Sequence, residues 1–242
     1  MTGVLWSPPL DESMCPEGQD TASEVVVILD VTDPWSGLQR EVLLTEFDGM
    51  RQTLPRFAKV HLFVVTEDEE ELPNAVLSLC NPGGVQDFES IPLVGRLGAW
   101  LFANPTLLER WQADFQTSLD EVIDQVVESD PGARSPIAET IWSAGARIFE
   151  ASTAAEKRIV LFSDMLQHSE AYSHYRSVTW EREDAASLAR GAPAGLLRGV
   201  SVELLLVDRG FDGAGRGPGR LTEFWEEWFS VQGATLIRVR RI

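Results

Sequence analysis

Four stretches of this chain are apolar almost without interruption, and they constrain its fold more than any other feature. Glu24–Val31 (EVVVILDV), Lys59–Thr66 (KVHLFVVT), Lys157–Ser163 (KRIVLFS) and Val200–Val207 (VSVELLLV) are runs of Val, Ile, Leu and Phe with no in–out alternation. A strand with one wet face alternates, whereas a uniform run is a strand covered on both faces, as in a parallel sheet. A fifth strand is expected at Ala234–Val239 (ATLIRV), and Leu77–Cys80 reads as a short edge strand. None of the runs approaches the roughly 20 apolar residues that a membrane-spanning helix needs.

Helical patterns separate these strands. Ser36 followed by Gln39 is a capping-box signature that opens a helix running to about Arg51. Thr106–Val127 places Leu107, Leu108, Trp111, Phe115, Leu119, Val122, Ile123 and Val126 at a period near 3.6. Pro136 suits the first position of a helix reaching about Phe149, with Ser135 as its cap. Leu221, Phe224, Trp225, Trp228 and Phe229 form the strongest amphipathic stripe, read as core. Strands and helices in this order imply an α/β fold: a doubly wound, mostly parallel central sheet with helices on both faces, Rossmann-like, with right-handed crossovers.

Residues 1–22 are rich in Pro, Glu, Asp and Ser without a period, and read as a flexible N-terminal tail. The remainder, 23–242, reads as one domain. Its connection at about 67–105 is too long for a minimal unit and reads as an insert, with a short helix expected at Leu97–Phe102.

Of the 242 residues, 44% are hydrophobic, including 8 Trp and 11 Phe, enough for a substantial core. The net charge of -18 opposes nucleic acid and anionic membranes, which are bound through Lys and Arg. It suits a cation or a basic protein surface. Cys15 lies in the expected tail and Cys80 in or near the fold, so no disulfide is expected. The start, MTGVLWSPPLDESM, has neither a basic leader nor an apolar centre, so a reduced, cytoplasmic location is expected.

In open α/β sheets, ligands bind beyond the carboxyl ends of the strands, near the point where strand order reverses. Three polar segments fall at such ends: Asp30-Val31-Thr32-Asp33-Pro34-Trp35-Ser36, Ala133-Arg134-Ser135-Pro136, and Phe162-Ser163-Asp164-Met165. Asp30 ends a run of Val and Ile, where a carboxylate needs a partner because an unpaired buried charge is costly. Two carboxylates and two hydroxyls are hard oxygen donors. Mg²⁺ accepts such a set readily, because it keeps several waters and needs few protein ligands.

These three segments, in this order, resemble the von Willebrand factor A-type family and its metal-ion-dependent adhesion site, over about residues 24–240. That family carries Asp-x-Ser-x-Ser after its first strand, a Thr before a central helix and an Asp after its fourth strand. The resemblance implies that Asp30 and Thr32 match the first motif, Ser135 the lone Thr and Asp164 the last Asp. It implies a site for Mg²⁺, or Mn²⁺ or Ca²⁺, with one coordination position open to an acidic group of a partner. Two departures stand out. Pro34 replaces the second hydroxyl, so that Ser36 or Asp33 is the substitute candidate, and Ser163-Asp164-Met165 replaces the usual Thr-Asp-Gly. The resemblance further implies a protein–protein adaptor or assembly module, without turnover, in an intracellular bacterial multi-component system.

The competing reading is a Mg²⁺-dependent phosphohydrolase or nuclease built on the strand-end carboxylates Asp30, Asp33, Asp164 and Asp208. Against it, Thr32 stands where a phosphatase Asp-x-Asp would have its second carboxylate, and no lysine accompanies the group. His168 and His174 lack a third soft ligand and read as surface histidines. The glycines at 213–219 lack a phosphate-loop ending and read as a loop.

Overall fold

The computed structural model describes residues 8–67, 74–83, 105–128, 132–209 and 216–242. The strands are β1 (Ser23–Asp30), β2 (Lys59–Val65), β3 (Leu77–Cys80), β4 (Glu156–Ser163), β5 (Val200–Leu206) and β6 (Thr235–Arg241). The helices are α1 (Gly37–Thr53), α2 (Pro105–Glu128), α3 (Ile137–Ile148), α4 (Arg182–Ala189) and α5 (Pro218–Gln232). The six strands form one sheet in the order β3-β2-β1-β4-β5-β6, parallel except for the antiparallel edge pair β2–β3. This is the α/β, doubly wound sheet that the apolar runs imply.

Both faces of the sheet are buried, which is why its central strands carry no polar alternation. On one face Val26, Ile28, Phe63, Ile159, Leu161, Val202 and Leu204 pack under α3, α4 and α5, whose contributions include Ile141, Ala185, Phe224, Trp225, Trp228 and Phe229. On the other, Val25, Val27, Leu29, Leu62, Val160 and Phe162 meet Leu43 and Phe47 of α1 and Trp111 and Phe115 of α2. The helix α5 ends at Gly233, whose φ of 82° is the left-handed cap that glycine tolerates. A Cβ there would come within 3.2 Å of the Arg198 backbone.

Three differences from the sequence reading have clear causes. Residues 8–22 fall inside the expected tail, yet they fold back onto the domain: Met14 is buried among Val25, Leu29 and Leu43, and Ser13 O accepts from Cys80 N. Cys15 and Cys80 form a disulfide across a separation of 65 residues. The segment lacks an apolar period, and it is attached through isolated residues, chiefly Met14 and Cys15 with Leu10 beside them. Third, α4 went unanticipated because its eight residues bury mainly alanines (Ala185, Ala186, Ala189) and give little periodic signal. The helix expected at Leu97–Phe102 lies outside the described residues.

Candidate functional site

β1 and β4 are neighbours, and β2 and β5 leave from opposite sides of this pair, so the reversal of strand order falls at their carboxyl ends. Asp30 is the last residue of β1, Ser163 the last of β4, and Leu29 pairs with Phe162 in the ladder. The register therefore sets Asp30 beside Ser163 and Asp164.

Every carboxylate oxygen of the pair is engaged. Asp30 Oδ1 accepts from the Thr32 hydroxyl at 2.6 Å and the Thr32 amide at 3.1 Å. Its Oδ2 accepts from Ser163 Oγ at 2.6 Å and from Ser135 Oγ at 3.5 Å. Asp164 Oδ1 accepts from the Leu166 amide at 2.9 Å, and Oδ2 from Arg209 Nε at 3.2 Å. The same guanidinium donates through Nη1 to Pro34 O at 3.2 Å. Asp30 and Asp164 are only 4% and 6% exposed, so this polar cluster sits inside the molecule.

Burial raises the pKa of Asp30, against hydrogen bonds from Ser163 and Thr32 that lower it, and the negative Asp33 adds to the rise. Burial also raises Asp164, to about 7, reinforced by the charges of Asp30 and Asp33; the Leu166 amide and Arg209 offset only part. Tyr175 at the mouth reports the same field: its pKa rises through burial first, then through Asp164, Asp33 and Asp30. Arg209 offsets only part of this negative field, and the other groups that surround it are hard oxygen donors. The residues present fit a divalent cation, with Asp30, Asp164, Thr32 and Ser135 as its candidate holders and Ser163 beside them. Among the described residues no group of three or more His, Cys, Asp or Glu is placed to hold a metal ion.

The loop that carries Ser135 is fixed to the end of β1 by backbone, since Gly132 N donates to Thr32 O at 2.6 Å. A two-way bridge links Ser135 to His168. Ser135 does not cap α3. That helix starts at Ile137 with no side-chain cap, and Gln167 Oε1 accepts from Ala138 N at 2.8 Å instead. Gln167 is fully buried and also donates to Glu139 Oε2 at 2.8 Å, so it takes over the capping role expected of Ser135 and leaves that hydroxyl facing Asp30.

The two substitutes for the missing hydroxyl part company. Ser36 is exposed and spent on the capping box of α1, accepting from Gln39 N while Gln39 Oε1 accepts from Ser36 N. Asp33 is half-buried and lines a cleft of about 300 Å³ with Thr32, Gly132, Arg134, Ser135, His168 and Tyr175.

Three contributors escaped the sequence reading. Ser163 points inward from a strand end where one more apolar residue would have looked equally natural. Arg209 follows β5, and only the sheet order brings it to Asp164. Met165 adopts a φ of 60°, a left-handed conformation costing a side-chain-bearing residue about 1–2 kcal/mol. Its amide donates to Ser163 Oγ and its carbonyl accepts from Trp225 Nε1, which hold it there. His174, read as a surface residue, is in fact 1% exposed, ringed by Tyr172, Trp180, Phe224 and Trp225.

No family model and no curated protein matches the chain. Among solved structures, it is similar to the conserved hypothetical protein BatB from Bacteroides thetaiotaomicron (16% identity, 91% of this chain and 90% of that one, TM-score 0.42). It is similar to an aerotolerance-related membrane protein from Bacteroides fragilis (13% identity, 91% of each chain, TM-score 0.41). A von Willebrand factor type A protein from Catenulispora acidiphila matches at 15% identity over 92% of this chain and 39% of the other, TM-score 0.40. At such scores these likenesses carry nothing about function. The cytoplasmic expectation is corrected by the disulfide, because a link such as Cys15–Cys80 persists in oxidising compartments and is rare in the reducing cytosol. No helix among the described residues is long and apolar enough to cross a membrane.

Proposed function

We propose that the chain is a metal-dependent protein–protein interaction module and not an enzyme. A Mg²⁺ ion (or Mn²⁺ or Ca²⁺) is held by Asp30, Thr32, Ser135 and Asp164, directly or through water, with Asp33 adding charge at the mouth. The observation that carries the reading is the buried convergence of Asp30 with the hydroxyls of Thr32, Ser135 and Ser163 beside a second raised carboxylate. A bound ion supplies an electropositive point at the end of the cleft, to which an acidic group of a partner protein can bind. Ser163 and the Thr32 amide orient Asp30, the Leu166 amide orients Asp164, and the bridge to His168 fixes Ser135 over the pair.

Thermal unfolding with Mg²⁺, Mn²⁺ and Ca²⁺, followed by chelator, tests the ion. A rise in Tm that chelator reverses and that Asp30→Asn and Asp164→Asn each abolish is expected. An equal response in both variants and in the parent protein would overturn the site. Turnover of a phosphoester with Mg²⁺ or Mn²⁺, lost in Asp164→Ala, would overturn the assignment as a binding module.

A further inference from the structure

We propose that the outer edge of β6, unpaired among the described residues, is a docking site for an extended acidic segment of another protein, which adds to the sheet beyond β6. The strand lies last in the sheet order and runs from Thr235 to Arg241 without Pro or Gly. Residues 237–241 are all exposed. Ile237 is 57% and Val239 36% exposed, an uncommon state for β-branched residues of a sheet that is otherwise buried on both sides.

The backbone direction follows from the end of the strand. Ile242 donates to Leu206 O and accepts from Asp208 N, so its two polar groups face β5. Strand alternation then turns those of Arg241 and Val239 outward, away from the sheet. Natural edges are blunted by shortness, proline, bulges or charge. On β6 the irregularity falls early in the strand, opposite Val202 and Glu203, and the outward half is guarded by charge alone.

That charge selects the occupant. Arg238, Arg240 and Arg241 sit in one strand of a chain whose net charge is -18. Arg238 pairs with Glu46 at 3.5 Å and Glu203 at 3.3 Å, and Arg240 pairs with Glu46. Both arginines stay about half exposed, at 49% and 46%, so the two glutamates stand them beside the edge without burying them. A second copy pairing through the same edge would set arginine against arginine, which like charges across strands disfavour. An acidic strand meets complementary charge, and its own β-branched residues would cover Ile237 and Val239. Main-chain bonds then give affinity and alternate side chains give specificity, as in other strand-addition interfaces.

The probes are two labelled peptides of the length of β6, one alternating Glu with Val and one alternating Lys with Val, titrated onto the full chain by fluorescence anisotropy. The Glu–Val peptide is expected to bind, despite the net negative charge of the protein, and the Lys–Val peptide not to. Val239→Pro removes an outward N–H and leaves the bonds to β5; it should weaken the acidic peptide about tenfold or more with Tm nearly unchanged. Arg241→Glu should weaken it too, without touching any β5 bond. Equal binding of the two peptides, undiminished binding by both variants, or a dimer of the chain that Val239→Pro dissolves would each overturn the proposal.

Discussion

Arg209 decides much of the chemistry at the residue scale. Its guanidinium pairs with Asp164, and under the proposed function it would compete with a cation for that carboxylate. Arg209→Met is therefore expected to destabilise the metal-free protein by about 1–3 kcal/mol, since it leaves a buried acceptor without its donor. The same variant should respond to Mg²⁺ at lower concentration than the parent. Urea unfolding with and without the ion measures both, and an unchanged Mg²⁺ response would show that Arg209 stands outside the metal's reach. His174 carries a pH dependence of definite sign. Burial pushes its pKa down to about 3, and the backbone of Gln167 offsets only part of that fall. The unfolded chain, with a pKa near 6.5, takes up the proton first. The stability at stake is whole above about pH 6.5 and is lost as pH falls from there toward 3. The urea midpoint of His174→Leu should fall less steeply than that of the parent between pH 7 and 4; equal slopes would refute the account.

At the scale of elements, the N-terminal segment is the clearest case of structure held by a few contacts. The disulfide ties residues 8–22 to β3, an edge strand of four residues whose one strand partner among the described residues is β2. Reduction, or Cys15→Ser with Cys80→Ser, should cost about 2–5 kcal/mol, read as a lowered unfolding midpoint, because the cross-link limits the unfolded chain. An unchanged midpoint would mean that Met14 and the backbone bonds suffice. The elements themselves were legible to different degrees. The four apolar runs, the stripe of α5 and the capping box of α1 stand in the sequence, because burial on both faces or on one helical face leaves a period. The start of α3 did not. Ser135 before Pro136 looks locally like a cap, and nothing local reveals that Gln167, some thirty residues later, reaches back to Ala138 in its place. The candidate site divides in the same way: Asp30, Thr32, Ser135 and Asp164 are visible at strand and helix ends, while Ser163 and Arg209 become visible only once β1, β4 and β5 lie side by side.

For the molecule as a whole, a charge of -18 means self-repulsion, which opposes the compact state. Monovalent salt screens charges separated by more than a Debye length, about 10 Å at 0.1 M. The urea midpoint should therefore rise from low salt to a few tenths molar NaCl, and a fall would show that ion pairs such as Arg158–Glu203 outweigh the repulsion.

A sheet buried on both faces, helices between its strands, and polar residues at the strand ends can all be read from the residues in order. Those follow from periodicity and from the cost of an unpaired buried carboxylate, which are local properties. Which strand ends meet, the release of Ser135 from capping, the pairing of Arg209 with Asp164 and the reach of Cys15 to Cys80 are settled by packing of the folded chain. These depend on strand order and register, and contacts between residues 29 to 133 positions apart leave no trace in any local pattern.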